Sequence, residues 1–196
     1  MQRTQVAHPK FYAYLATLLA FGMSMPAMAD NLHLIDSHPS GYAIYRSGSP
    51  TRADFKHWCR IGIQEVYVIS GNADRIEDRY ASLCPSMKII ANEAQDVEVL
   101  PDARALELFD AWVADAMTNH KKILFRCNCG CHRTGRLAAY YQMKYQNLTA
   151  DDAIALMNAY GKMMMFHPEL PKQVRDLEQR IQQDKMKSPA IHSLAK

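Results

Sequence analysis

Apolar and polar positions alternate along this chain with two periods, one typical of strands and one typical of helices. Short runs rich in β-branched and aromatic residues predict strands at YAIYR, IQEVYVIS, MKIIANEAQ and KILFRC. Longer segments with an apolar residue every three or four positions predict helices between and after these strands. Because strands and helices alternate, the pattern predicts an α/β fold in which a short, mainly parallel sheet is flanked by helices on both faces.

Local capping signals indicate where several of the helices begin and end. Thr51 and Thr149 are suitable N-caps, and Gly62 and Gly161 are suitable stops for the helices that follow those caps. Asp102 is the expected cap of a long helix over ARALELFDAWVADAM. Apolar residues at helical spacing form the inner face of that helix: Leu106, Phe109, Trp112, Val113 and Met117. Residues 30–50 are rich in turn formers, so we expect irregular structure there apart from YAIYR.

The first 29 residues have the pattern of a secretory signal peptide. Arg3 and Lys10 precede the apolar run FYAYLATLLAFGM, and Ala27 and Ala29 supply the small residues of a cleavage site. The run is shorter than the roughly 20 residues that cross a bilayer, which disfavours a retained membrane anchor. We therefore predict a signal peptide at 1–29, one domain at 30–185 and a flexible polar tail at 186–196, with no membrane span after removal of the signal.

The charge of the chain does not indicate a nucleic-acid partner. The formal net charge is +3, and removal of residues 1–29 takes away two basic residues and no acidic one, which leaves +1. Such a balance provides no basic surface of the kind that binds a phosphate backbone. We therefore expect no nucleic acid among the partners.

All five cysteines lie in the part of the chain that would be exported. An odd number in an oxidising compartment leaves at least one thiol free, reactive or paired between chains. Cys59 and Cys84 are candidates for a disulfide, although the sequence does not show whether their Cβ atoms meet. Cys127, Cys129 and Cys131 occupy alternate positions in FRCNCGCHRTGR, which makes this segment the main candidate for a site.

This segment joins a predicted strand to a predicted helix. Helix N-termini at the carboxyl edge of a sheet bind anions, so the pKa of a thiol at Cys127 should lie well below about 8.5. Five residues separate Cys127 from Arg133, enough for the guanidinium to grip two oxygens of an anion above the sulfur. Gly130 permits successive amides to turn inward, and Thr134 can donate a hydrogen bond to the sulfur.

These residues resemble the phosphate-binding loop of the cysteine-dependent protein phosphatases, which include the tyrosine and dual-specificity phosphatases. The loop then contains Asn128, Cys129, Gly130, Cys131, His132 and Arg133. YRSGSPT, IQEVYVIS and RTGRLAAYYQMKYQNLTADDAIALM are also similar to segments of compact bacterial members, so the resemblance covers most of residues 42–180. Together with the export signal, it is greatest to periplasmic tyrosine phosphatases of Gram-negative bacteria, and it implies their compact fold and a periplasmic location.

The resemblance implies metal-independent hydrolysis of phosphate monoesters without a cofactor. Cys127 is then the nucleophile that forms a cysteinyl-phosphate, and Arg133 binds the phosphate oxygens. Family members place an acid on a loop some thirty residues before the nucleophile, where it protonates the leaving group; Asp96 stands 31 positions before Cys127 and fits that place. Three other acids compete with it by position: Glu93, Glu98 and Asp102.

Two features depart from the family pattern. The family usually has His immediately before the nucleophile, and here that residue is Arg126, which leaves open whether activity is reduced. Cys129 and Cys131 lie inside the loop, where either can react with an oxidised Cys127 or be a small tolerated residue.

Several other residues have two interpretations each. His132 either shapes the substrate mouth or is a solvated loop residue. Tyr45 and Arg46 either act in function or pack against the loop and brace it, and we favour the second. The three methionines from Met163 to Met165 either fill gaps in the core or form a hydrophobic lip beside the site.

The residues also leave other functions open. The three loop thiols with His132 suggest zinc, although alternate spacing lacks the gap that lets thiolates converge. C-x3-C-H fits a lengthened haem-attachment pattern. A phosphate-binding module without catalysis and a thiol-redox protein are further alternatives. Arg133, Thr134 and Gly135 are explained by the phosphatase hypothesis and not by zinc or haem, so we favour it.

The substrate is the least defined part of this hypothesis. The loop lacks the lysines that phosphoinositide and phytate phosphatases place there, which favours phosphotyrosine in proteins. Inositol phosphates and small phosphoesters stay open as substrates. The sequence also leaves open the oligomeric state and the pairing of the five cysteines.

Overall fold

The computed structural model describes residues 31–187. Within this range the strands are β1 (His33–Ser37), β2 (Ala43–Ser47), β3 (Glu65–Val68), β4 (Lys88–Asn92) and β5 (Lys122–Arg126). The helices are α1 (Arg52–Ile61), α2 (Ala73–Tyr80), α3 (Ala103–Thr118), α4 (His132–Tyr145), α5 (Ala150–Tyr160) and α6 (Leu170–Lys187). The predicted signal peptide and residues 188–196 of the predicted tail lie outside the described residues, so both stay predictions.

The strands form one sheet in the order β1-β2-β5-β3-β4. β1 is antiparallel to β2, and every other pair is parallel. Arg126 at the end of β5 is in register with Ser47 at the end of β2 and with Val68 at the end of β3. The loops that follow these three strands therefore meet at one edge of the sheet.

Helices cover both faces of the sheet, because successive strand residues point to opposite sides. Tyr67 and Ile69 pack with apolar residues of α3 to α6, whereas Val66 and Val68 pack with Phe55 and other residues of α1 and α2. The prediction of an α/β fold with a mainly parallel sheet between two helical layers is confirmed.

The capping signals correctly predicted three helix starts. Thr51 and Asp54 form a reciprocal capping box at α1, Asp102 accepts a hydrogen bond from the amide of Ala105 at α3, and Thr149 caps α5. Gly62 ends α1 in the left-handed region, with a φ of 86°.

Two elements were not predicted from the sequence. β1 is an edge strand whose side chains are only partly covered, with an irregularity between Leu34 and Asp36, so it lacks a clear alternation of apolar and polar residues. α2 buries only Ala73 and Glu77, so it has no apolar stripe.

A disulfide joins Cys59 in α1 to Cys84 before β4. The two cysteines are 25 positions apart, and closing such a loop stabilises the folded chain by about 3 kcal/mol in the chain-entropy account. Cys127, Cys129 and Cys131 are free thiols. Among residues 31–187, no helix has the length and apolar character needed to cross a bilayer.

Candidate active site

Cys127 lies at the junction of β5 and α4, at the edge of the sheet where the strand ends meet. Its side chain is buried, and α4 begins five residues later at His132. Arg133 and Thr134 are therefore in the first turn of α4, where unpaired amide groups and the positive end of the helix dipole favour a negative charge. The loop of residues 127–133 is called the phosphate-binding loop below.

Gly130 lets this loop pack directly on the backbone that follows β2. Its φ is 69°, and a Cβ atom there would lie 2.5 Å from the Gly48 nitrogen and 2.6 Å from the Ser47 carbonyl carbon. The amide of Ser49 donates to the Asn128 carbonyl at 2.8 Å. The two backbones thus hold each other at a distance that a side chain at position 130 would prevent.

Arg46 braces the same loop from beneath, as expected from the sequence. Its side chain is buried, and Nη2 donates to the carbonyl oxygen of Gly130 at 2.7 Å. Burial lowers the pKa of Arg46 to about 10, and the negative charge of Cys127 opposes that shift. Asn31 donates to the same carbonyl at 2.7 Å. Tyr45 instead packs in the apolar cluster on the opposite side of the sheet.

The pKa of Cys127 is lowered to about 4. The largest cause is a hydrogen bond from the Cys129 thiol, and Thr134 and the charge of Arg133 act in the same direction, while burial opposes them. In the described chain the Thr134 hydroxyl is buried and has no hydrogen-bond partner. Cys127 is accordingly a thiolate at neutral pH.

The other two loop thiols have distinct environments. Sharing a hydrogen bond with Cys127 raises the pKa of Cys129, so this thiol stays protonated and acts as a donor. The Cys129 sulfur accepts from the Cys131 amide at 3.1 Å, and the Cys131 thiol donates to the Cys129 carbonyl at 3.2 Å. In the part of the chain that the structure describes, no three His, Cys, Asp or Glu side chains are grouped in a way that could hold a metal ion. Sequence reasoning did not predict a hydrogen bond between Cys129 and Cys127.

Arg133 connects the phosphate-binding loop to two other segments, the one that follows β3 and the one that contains Asp96. Its Nη1 donates to the Ile69 carbonyl at 3.3 Å, after β3, and to the Gln95 carbonyl at 3.1 Å, beside Asp96. The guanidinium is partly exposed. Arg133 is thereby held between the segment that follows β3 and the segment that carries the predicted acid.

Asp96 is exposed, and its carboxylate accepts a hydrogen bond from the Glu98 amide at 2.9 Å. Two of the competing acids have structural partners: Glu93 accepts from the Tyr67 hydroxyl, and Asp102 caps α3. The position of Asp96 next to Gln95, which Arg133 contacts, brings it to the same edge of the sheet as Cys127.

The segment around Asp96, residues 93–100, is called the acid loop below, and its backbone is held by Arg136. This buried side chain donates to the carbonyl oxygens of Asp96, Val97 and Val99. Sequence reasoning missed this role of Arg136. The available signal was a second arginine three positions after Arg133, one helical turn further along α4.

His132 connects the loop to the residues after α5. One ring nitrogen lies 2.9 Å from the Lys162 carbonyl, and the ring packs on His167 at 4.0 Å between centroids. Burial lowers the pKa of His132. Met163 and Met165 are 63% and 76% exposed, so the interpretation of these two as gap-filling core is wrong, and they form a hydrophobic lip next to the segment that His132 contacts.

A comparison with models of protein families shows to which family the chain belongs. The model of the dual specificity phosphatase catalytic domain matches residues 68–180, which extend from the end of β3 into α6 and include Asp96, Cys127 and Arg133. The chain belongs to the dual specificity phosphatases. It is thus a member of the cysteine-dependent phosphatase superfamily, as the resemblance in the sequence implied. A comparison with curated proteins found no match.

Solved phosphatase structures have the same fold. TpbA of P. aeruginosa is 19% identical, with a TM-score of 0.58 over 76% of this chain and 96% of that chain, and it has also been solved in complex with pTyr. The PP-IP phosphatase SIW14 from S. cerevisiae is 18% identical, with a TM-score of 0.56 over 80% of this chain and 94% of that chain. PTPMT1, solved with PI(5)P, is 12% identical, with a TM-score of 0.60 over 79% of this chain and 99% of that chain.

Proposed function

We propose that this protein hydrolyses phosphotyrosine in proteins, through a cysteinyl-phosphate intermediate on Cys127. The proposal is carried by one observation: a buried thiol at the end of β5 is followed, in the first turn of α4, by Arg133 and Thr134. This arrangement offers a nucleophile, a cation and a row of amide donors to one phosphate group.

In the first step the phosphate group binds over the N-terminus of α4. The guanidinium of Arg133 and the amides of residues 128–133, except the Cys131 amide that donates to the Cys129 sulfur, hold its oxygens. The Cys127 thiolate attacks phosphorus in line with the leaving oxygen. Asp96 donates a proton to that oxygen, so tyrosine leaves as a neutral phenol. The negative charge that develops on the phosphoryl oxygens meets donors that are already oriented, which lowers the barrier.

In the second step water hydrolyses the cysteinyl-phosphate. The Asp96 carboxylate, now unprotonated, takes a proton from the water as it attacks phosphorus. The bond between sulfur and phosphorus breaks, and the thiolate returns to the environment that lowers its pKa to about 4. The buried Thr134 hydroxyl, which has no ordinary partner in the described chain, is available to donate to the departing sulfur.

Three observations support phosphotyrosine as the substrate. The residues between Cys127 and Arg133 contain no lysine, so the loop does not supply extra positive charge for a highly phosphorylated ligand. Exposed Met163, Met165 and Phe166 offer an apolar surface near His132. A structural neighbour, TpbA, has been solved with pTyr. The alternative is an inositol phosphate or a small phosphoester, because neighbours of the same fold include a PP-IP phosphatase and a protein solved with PI(5)P.

We also propose that the protein acts in the periplasm after removal of residues 1–29. The disulfide between Cys59 and Cys84 supports an oxidising compartment, since such bonds are rare in the cytosol. Cell fractionation, together with the N-terminal sequence of the mature protein, tests this location.

The activity is tested with p-nitrophenyl phosphate and residues 30–196, in EDTA, with and without dithiothreitol. We expect turnover that EDTA does not abolish, that vanadate inhibits, and that Cys127→Ser lowers by a factor on the order of 10⁵ or more. A panel of phosphotyrosine peptides, phosphoserine peptides and inositol phosphates then ranks the substrates by kcat/KM. Binding of phosphotyrosine peptides without turnover in any condition would instead indicate a phosphate-binding module.

A further inference from the structure

Arg126, the residue that stands where the family usually has His, forms a buried ion pair with Glu77 of α2. Both side chains are fully buried. The Arg126 Nε donates to one carboxylate oxygen of Glu77 at 2.6 Å, and Nη2 donates to the other, so the pair is bidentate. Removing two charges from water is costly, so a buried ion pair is by itself weak evidence for a stabilising role.

The third nitrogen of the Arg126 guanidinium connects two loops. Nη1 donates to the Ser70 hydroxyl and to the Asn72 side-chain oxygen, both at 2.7 Å and both after β3. It also donates to the Ser49 hydroxyl at 3.3 Å, after β2. Glu77 thus fixes the plane of the guanidinium, and the guanidinium fixes the distance between the two loops that flank the phosphate-binding loop.

Both of these loops hold Asn128, the residue directly after the nucleophile. The Asn72 side-chain amide donates to the Asn128 side-chain oxygen at 2.9 Å, and the Ser49 amide donates to the Asn128 carbonyl at 2.8 Å. The backbone of Ile69 adds a link to Arg133, because its amide donates to the Arg126 carbonyl and its carbonyl accepts from the Arg133 guanidinium. The contacts of Arg126 therefore lead to both ends of the phosphate-binding loop.

We propose that Arg126 and Glu77 are positioning residues for the reaction, which orient the phosphate-binding loop through Asn72, Ser49 and Asn128. This inference rests on the proposed phosphatase function. Arg126 reaches the nucleophile through Asn128, from behind the loop, so it replaces the family His by a different arrangement of contacts. Loss of the pair shifts the amides and the sulfur from the positions that bind and attack phosphorus, and a displacement of about 1 Å costs about 10²-fold in rate.

Three variants interrupt the network at different points: Glu77→Gln, Arg126→Lys and Asn72→Ala. We expect each to lower kcat for p-nitrophenyl phosphate by between about 10- and 100-fold. We also expect each to raise the pH at which iodoacetamide alkylates Cys127 at half its maximal rate, followed by mass spectrometry of the peptide that contains Cys127. Asn72→Ala leaves the ion pair intact, so it decides the question if the two ion-pair variants do not fold.

Glu65→Gln is the matched control. Glu65 begins β3, at the end of the strand opposite to the site, and its carboxylate accepts hydrogen bonds from Trp112 and Lys121. We expect this variant to lower thermal stability while kcat and the alkylation profile stay at wild-type values. A purely structural role would make all four variants alike, with activity lost only in proportion to the unfolded fraction.

The two readouts separate this inference from the proposed function. If the wild-type protein hydrolyses no phosphoester, the proposed function is wrong, yet the alkylation profile still reports the environment of Cys127. A shifted profile in Glu77→Gln and Asn72→Ala then supports the positioning role. Wild-type profiles in both variants overturn it, whatever the wild-type activity.

Discussion

The phosphate-binding loop and the acid loop meet at Arg133 but are held in different ways. Cys127 and Cys131 are buried, and the backbone at Gly130 lies against Ser47 and Gly48. Asp96 is exposed, and buried Arg136 holds the backbone carbonyls of the acid loop rather than its side chains. The reacting sulfur of one half of the site is fixed by burial, whereas the exposed carboxylate of Asp96 in the other half is tethered mainly through its backbone.

This difference fits the chemistry that the proposed function assigns to each loop. Donors that stabilise developing charge are most effective when they are oriented before the reaction, which requires the buried backbone contacts of residues 127–133. A proton donor must reach a leaving group that differs between substrates, and an exposed carboxylate on a tethered backbone permits that. Substitution of the exposed Asp96 should therefore change activity without changing stability, whereas substitutions in the phosphate-binding loop should change both.

Among substitutions in the acid loop, Asp96→Asn should have the largest effect on activity. We expect kcat to fall by about 10²- to 10⁴-fold, because the variant has no proton to donate. The free energy of unfolding should change by less than about 0.5 kcal/mol, since the side chain is exposed. The loss should be greater for phosphotyrosine than for p-nitrophenyl phosphate, whose leaving group needs less help from an acid.

Glu98→Gln and Asp102→Asn are the controls for that measurement. Asp102 caps α3 and asparagine caps helices equally well, so this variant should change stability by less than about 0.5 kcal/mol, with little change in kcat. A larger loss of kcat in Glu98→Gln than in Asp96→Asn would assign the proton donor to Glu98.

Gly130→Ala tests the packed half of the site. A Cβ atom there would lie 2.5 Å from the Gly48 nitrogen, so the loop must move by about 1 Å, which costs about 10²-fold or more in kcat. The strained backbone should also lower the free energy of unfolding by about 1–3 kcal/mol. Stopped-assay kinetics and urea unfolding of the same preparation measure the two effects.

Gly41→Ala is the matched control for the strain of placing alanine at a positive φ. Gly41 also has a positive φ, of 110°, but a Cβ atom there would meet its nearest neighbour at an ordinary 3.6 Å. This variant should lose stability and keep its kcat. If Gly130→Ala behaved in the same way, close packing against Gly48 would not be what fixes the geometry of the loop.

Much of the fold could be predicted from the sequence because its signals are local. Thr51, Asp102 and Thr149 each cap a helix that begins at the next residue, and the strand runs contain their own β-branched and aromatic residues. α2 escaped prediction because its one buried charged residue, Glu77, is explained only by Arg126, 49 positions away. The sequence shows only a polar segment there, and its pattern cannot show a buried ion pair.

The same distinction applies to the site. The spacing of Cys127, Gly130 and Arg133 lies within one loop, so the sequence was sufficient to bring these residues together. Arg136, Asn72 and Glu77 act on other segments of the chain, and their contacts depend on which strands are neighbours in the sheet. Their positions in the sequence contain no such information.

Cys129→Ala should produce the smallest effect at neutral pH. It tests how the phosphate-binding loop lowers the pKa of Cys127. The Cys129 thiol is the largest cause of the lowered pKa of Cys127, so its removal should raise that pKa from about 4. A thiolate is present above its pKa and is lost as pH falls through it. The alkylation rate of Cys127 should therefore begin to fall at a higher pH in the variant, with little change in kcat at pH 7.

Cys129→Ser retains a hydroxyl donor, so we expect the midpoint of its alkylation profile to lie between those of wild type and Cys129→Ala. This order would show that a donated hydrogen bond, and not the size of the side chain, stabilises the thiolate. An unchanged midpoint in Cys129→Ala would assign the low pKa to the other groups that favour the charge, the amide and hydroxyl of Thr134 and the guanidinium of Arg133. In that case the N-terminus of α4 alone would be sufficient to activate Cys127, and Cys129 would be a tolerated loop residue.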